Sequence, residues 1–65
     1  MLGNVKWFNN KKGYGFVIGE DGNEYFVHYT SINQGGFKSL KDGQAVSFVP
    51  NKSDKGLEAK DVEIL

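Results

Sequence analysis

Apolar and polar positions alternate in short runs along this chain, and Gly or Asn separates one run from the next. That pattern predicts many short strands and no long helix. Strand one is expected at about Asn4 to Phe8 and strand two at about Tyr14 to Ile18, joined by a turn through Asn9, Asn10, Lys11, Lys12 and Gly13. Asp21-Gly22 is a hairpin signal, because these residues tolerate positive φ. Strand three then covers about Glu24 to Tyr29. Thr30 to Leu40 reads as a long connection containing Gly35 and Gly36, with one helical turn near Ser31 and Ile32. After the Asp42-Gly43 turn, strand four is expected from Ala45 to Val49, ended by Pro50, which cannot donate to a ladder. The last segment admits two readings. Leu57 to Leu65 fits a helix capped by Ser53 or Asp54, while Val62-Glu63-Ile64 continues the alternation of a strand. A fifth strand is preferred, because it closes a barrel and leaves no edge open.

The faces of these strands raise the functional question. Nine aromatic residues occur in 65, and the ordinary expectation is that they form the core. In strand three, however, Glu24, Phe26 and His28 share a face, with Tyr25, Val27 and Tyr29 mostly on the other. A face carrying Glu and His is a poor core, so Phe26 is expected to be exposed. In strand two Tyr14 and Phe16 lie opposite Gly13, Gly15 and Val17. Pattern alone would bury Tyr14 and Phe16. Placed beside Phe26 across the hairpin, they would instead form a strip of rings facing water, and the glycines would suit the cramped inside of a small barrel. In strand one, Lys6, Trp7 and Phe8 do not alternate cleanly.

Composition narrows the chemistry. The length suits one domain, residues 1–65, near the lower limit for a fold that stands without help. There is no Cys, hence no disulfide, and one His is a poor basis for a zinc site. No signal-peptide pattern or membrane-length apolar run is visible, and a cytoplasmic protein is expected. Eight Lys balance eight acids and there is no Arg, which on its face argues against a nucleic-acid partner. The distribution weakens that objection: residues 1 to 19 carry Lys6, Lys11 and Lys12 and no acid, and four of the nine rings lie there. Exposed rings beside lysines suit unpaired nucleobases, which stack on aromatic faces while the lysines meet phosphates.

Lys12-Gly13-Tyr14-Gly15-Phe16-Val17 resembles the first ribonucleoprotein motif. Tyr25-Phe26-Val27-His28-Tyr29 resembles the second, and Gly3 to Asn9 resembles the opening strand of the cold-shock domain. Gly36 to Leu40 and Gly43 to Phe48 are similar to that family's second half, so the resemblance runs end to end. It implies an all-β, five-stranded antiparallel barrel of the OB-fold type. It also implies binding to single-stranded RNA and DNA and an RNA-chaperone role under cold stress, with no cofactor and no catalysis. Carried over by position, Trp7, Phe8, Tyr14, Phe16, Phe26, His28, Tyr29 and Phe37 would form the stacking platform, with Lys6 and Lys12 as cationic contacts. The sequence departs from the family at several places. Tyr25 stands at an expected core position, where its hydroxyl needs a partner or an exit. Glu58 replaces a frequent Gln and Lys55 a frequent Arg, which is expected to weaken or shift that end of the site.

Rival readings are weaker. His28 as an acid–base catalyst lacks a convincing second group. Glu20, Asp21 and Glu24 are better explained by a solvated hairpin than by a metal loop. A small SH3-like barrel that holds peptides in an aromatic groove is the main alternative. A monomer is expected, with weak or strand-exchanged dimers as the variant that exposed Phe would favour.

Overall fold

The computed structural model describes residues 1–33 and 39–65. Its strands are β1 (Leu2–Asn9), β2 (Tyr14–Gly19), β3 (Glu24–His28), β4 (Ala45–Ser53) and β5 (Gly56–Ile64), with one 3-10 turn at Tyr29–Ser31 between β3 and β4. They close into a barrel in the order β1-β2-β3-β5-β4. Closure satisfies both edges of the sheet, as the alternation had suggested. The pairing is antiparallel except between β3 and β5, which run parallel with Phe26 opposite Glu58. The expected antiparallel barrel thus holds at four of the five pairings, and this one is the exception. Directions cannot alternate all the way round a closed ring of five strands, so one pair must run parallel.

Two bulges set which side chains face inward. In β1, Val5 pairs with Val17 but Trp7 pairs with Phe16, so Lys6 is an extra residue. Val5 and Phe8 therefore point in, while Lys6 and Trp7 both point out. This explains why the alternation breaks at these three residues. In β5, Ser47 pairs with Glu63 and Val49 with Lys60, so the extra residue lies near Asp61, whose φ is 49°. The bulge lets both Ala59 and Val62 reach the interior.

The core draws on every strand: Val5 and Phe8, Val17, Tyr25 and Val27, Val46 and Phe48, Ala59 and Val62. Ile32 and Leu40 plug it from the connection. Tyr25 meets Phe48 with ring centroids 5.0 Å apart, and its hydroxyl leaves the core to donate to Asp21 at 2.5 Å. Asp21 Oδ1 also accepts from the Asn23 backbone N–H, and Gly22 turns the hairpin with φ of 84°.

Pro50 does not end β4, which continues to Ser53. The N–H and C=O of Phe48 both bond to Met1, so Pro50, two residues on, faces the same way, past the start of β1. A missing donor costs little on that open edge, while the other edge pairs with β5. β3 ends at His28, one residue earlier than expected, and Tyr29 opens the 3-10 turn.

Candidate nucleic-acid interface

Outward positions of β1, β2 and β3 line up across the ladder. Trp7 lies opposite Phe16, Phe16 opposite Phe26, and Tyr14 opposite His28. Cross-strand neighbours of this kind bring rings into contact. Phe16 is 5.6 Å from both Trp7 and Phe26, centroid to centroid. Tyr14 is 6.0 Å from Trp7 and from Phe26. Four rings thus form one continuous patch over three strands. They tile edge to face or tilted, apart from the near-parallel Tyr14 and Phe26, so each presents part of its surface outward.

The glycines on the opposite face make this patch possible. A side chain at Gly15 would collide with the backbone of Trp7 and Phe8. Gly13 has φ of 79°, and a Cβ there would lie 2.6 Å from the Tyr29 ring. Tyr29 donates its backbone N–H to Gly13 O at 2.7 Å. The ring of Tyr29 therefore lies over the β1–β2 turn, 46% exposed, with its centroid 4.6 Å from that of His28. The 3-10 turn is what moves Tyr29 off the inner face that strict alternation would give it. His28 Nδ1 accepts from the Thr30 backbone N–H and sits 3.0 Å from Thr30 Oγ1, which holds the imidazole at the strand end.

The charged groups are arranged around the rings. Asn9 Oδ1 accepts from the backbone N–H groups of Lys11 and Lys12, fixing the turn that carries both lysines. Lys12 is exposed beside Tyr14. Lys6 is held by Glu24 in an ion pair of 3.1 Å, so a phosphate must compete with a carboxylate for it. At the far end of the patch, Phe16, Glu24, Phe26, Lys55, Leu57 and Glu58 line a groove of about 440 Å³. Asp21, outside the patch, has its carboxyl held below the usual range, first by the Tyr25 hydroxyl and then by the Asn23 N–H. The same bond, with burial and the Asp21 charge, raises Tyr25. No group of three or more His, Cys, Asp or Glu among the described residues could hold a metal ion.

Of the ten residues expected at the site, Lys6, Trp7, Lys12, Tyr14, Phe16, Phe26, His28 and Tyr29 lie on or beside this surface. Phe8 does not: it is 9% exposed and packs in the core, because the bulge at Lys6 turns it inward. Phe37 lies outside the described residues. The ion pair of Lys6 with Glu24, the Asp21 partner of Tyr25 and the placement of Leu57 in the groove were not read from the sequence. An Asp four positions before a Tyr on an inward face was the available signal for the second of these.

The profile of the "'Cold-shock' DNA-binding domain" matches residues 1–65. This chain belongs to the cold-shock domain family. Cold shock protein CapB of Pseudomonas syringae pv. tomato is 48% identical to it over 65 residues, covering 100% of this chain and 94% of that protein. Major cold shock protein CspA of Pseudomonas aeruginosa is 54% identical over 63 residues, 97% and 91% of the two chains. The cold shock-like protein of Thermotoga maritima is 46% identical, covering 100% and 98%. Among solved structures, drosophila Unr CSD456 superimposes with a TM-score of 0.74 at 18% identity, over 98% of this chain and 26% of that one. It shares the fold of this cold-shock domain. Membership over the whole chain makes this a nucleic-acid-binding domain and sets aside the SH3-like peptide-binding alternative.

Proposed function

We propose that this cold-shock domain binds single-stranded RNA and DNA by stacking unpaired bases on Trp7, Tyr14, Phe16 and Phe26, and acts as an RNA chaperone in the cytoplasm under cold stress. His28 and Tyr29 extend the platform, and Lys6 and Lys12 meet the backbone. The continuous ring patch carries this reading. Exposed rings in contact with one another cost solubility unless a partner covers them, and a base supplies a π-face of matching size. Stacking contributes about 1–3 kcal/mol per base and requires bases that are not already stacked in a duplex.

Chaperone action follows from linkage. A protein that binds the unpaired form but not the paired form shifts the melting equilibrium by mass action. At a free concentration a hundred times Kd the shift is about 2.7 kcal/mol for one bound molecule. That melts marginal hairpins, which low temperature stabilises, and leaves long duplexes intact. The protein works in this role as a monomer and without catalysis.

The test is a titration of Trp7 fluorescence with a short single-stranded oligonucleotide and with its duplex. Saturable quenching by the single strand, much weaker with the duplex, is the expected result. Equal quenching by both, or none by either, would end the proposal.

A further inference from the structure

The groove at the β3–β5 end of the patch is where the parallel pairing sets Glu58 beside Phe26. Two carboxylates reach this groove, and they differ. Glu24 is neutralised by Lys6 at 3.1 Å. Glu58 forms no ion pair among the described residues; the contact to its Oε1 is a long one of 3.5 Å from Asn51 Nδ2 on β4. A carboxylate accepts hydrogen bonds and donates none, and its two oxygens offer about four acceptor sites. Asn51 occupies one of these, which leaves room for a two-pronged contact. The walls beside it, Phe16, Phe26 and Leu57, are apolar and suited to the face of a base.

Building on the single-strand reading above, we infer that Glu58 makes this end of the interface selective for guanine. A base lying on Phe26 with its Watson–Crick edge toward β5 meets the Glu58 carboxylate. Guanine presents two adjacent donors on that edge, N1–H and N2–H2, which match the two oxygens. Adenine and cytosine each offer one amino donor next to a ring-nitrogen acceptor, which opposes the second oxygen. Uracil and thymine offer one N–H between two carbonyl oxygens and are the least suited. Glu58 therefore costs some general affinity, because it brings negative charge toward phosphates, and gains discrimination at one base. Lys55, in the same groove, is placed to offset the phosphate repulsion of a strand entering there.

The experiment uses the full chain and Trp7 quenching, with a short oligothymidylate and a set carrying one guanine at each successive position. One position is expected to bind about fivefold tighter than the all-thymine strand, the scale of a partly solvated bidentate base contact. Inosine at that position keeps N1–H but lacks the N2 amino group, and is expected to lose most of the gain. Glu58→Gln, at a surface position, is expected to bind the all-thymine strand more tightly while the guanine advantage collapses. A wild-type protein that binds no guanine strand better than thymine, or a guanine advantage that survives Glu58→Gln, would overturn the inference. Absence of quenching by every strand would instead overturn the stacking proposal on which it rests.

Discussion

Phe8 and Phe16 are both phenylalanines on neighbouring strands, yet their surroundings predict opposite phenotypes. Phe8 is core, and its truncation to Ala is expected to cost about 3–5 kcal/mol of stability. Most of the folding free energy of a domain this small would go with it. Phe16→Ala is expected to leave the fold largely intact and to lose about 1–3 kcal/mol of single-strand affinity. Urea denaturation and Trp7 titration of the two variants separate the roles. Tyr25 is a residue whose ring is core and whose hydroxyl is not. Its bond to Asp21 depresses the Asp21 pKa below the ordinary value of 3.8. A depressed carboxylate contributes stability that is fully present above the unfolded pKa and is lost as pH falls through the folded one. The raised Tyr25 contributes in the opposite sense: its share is present below the ordinary 10.0 and is lost as pH rises through its folded pKa. Tyr25→Phe removes the largest cause of the Asp21 shift. In that variant the Asp21 carboxyl should titrate closer to its ordinary value, and stability should fall less steeply below about pH 4. A carboxyl-carbon NMR titration with denaturation at two pH values reads both; an unmoved Asp21 titration would show that the hydroxyl bond is not the cause.

Elements here are defined as much by their irregularities as by their alternation. The β1–β2 turn positions Tyr29 through Gly13, which has positive φ and no side chain. Gly13→Ala would meet both the left-handed cost of roughly 1–2 kcal/mol and the Tyr29 ring. Reduced thermal stability is expected together with weaker binding to single strands, since the ring must move. Loss of stability with unchanged affinity would take Tyr29 out of the interface. The positions of β1, β2 and β3 were legible in the sequence because a two-residue period survives short strands, and the outward face of Phe26, half-buried among its neighbouring rings, followed from its company with Glu24 and His28. Phe8 was carried to the platform by resemblance, since strand one gave no clean alternation to check it; the added residue at Lys6 turns it into the core. Pro50 was read as a strand end because its free edge depends on where β1 begins, which is a property of a distant pairing. The same holds for Glu58, which reaches Phe26 through a parallel contact between strands 32 positions apart in that register. Local patterns report the face of a strand; only closure of the barrel decides its neighbours.

At the scale of the whole molecule, zero net charge sets how binding should respond to salt. A nucleic-acid binder that works through phosphates carries a surplus of basic residues, and its affinity falls steeply as counterions return. Here the cations near the rings are Lys6, Lys11, Lys12 and, in the groove, Lys55, and the first is already paired with Glu24. With about two or three phosphates neutralised, the slope of log K against log salt for a single strand should be about −1.4 to −2.1. Between 50 and 200 mM salt the affinity should then fall about tenfold, whereas six to ten phosphate contacts on a single strand would cost about 300-fold or more. The remainder of the affinity is stacking, which salt barely screens. Glu24→Gln supplies the internal control. It frees Lys6 and removes a negative charge beside the rings, so it should raise affinity at low salt and make the slope steeper. The ion pair it breaks is exposed and contributes only about 0–1 kcal/mol to the fold, so stability should hardly change. A slope steeper than about −4 in the wild-type protein would mean that phosphates, not rings, dominate. A shallow slope that steepens in Glu24→Gln would assign the affinity to the aromatic patch and make Glu24 the residue that keeps Lys6 from acting as a general phosphate anchor.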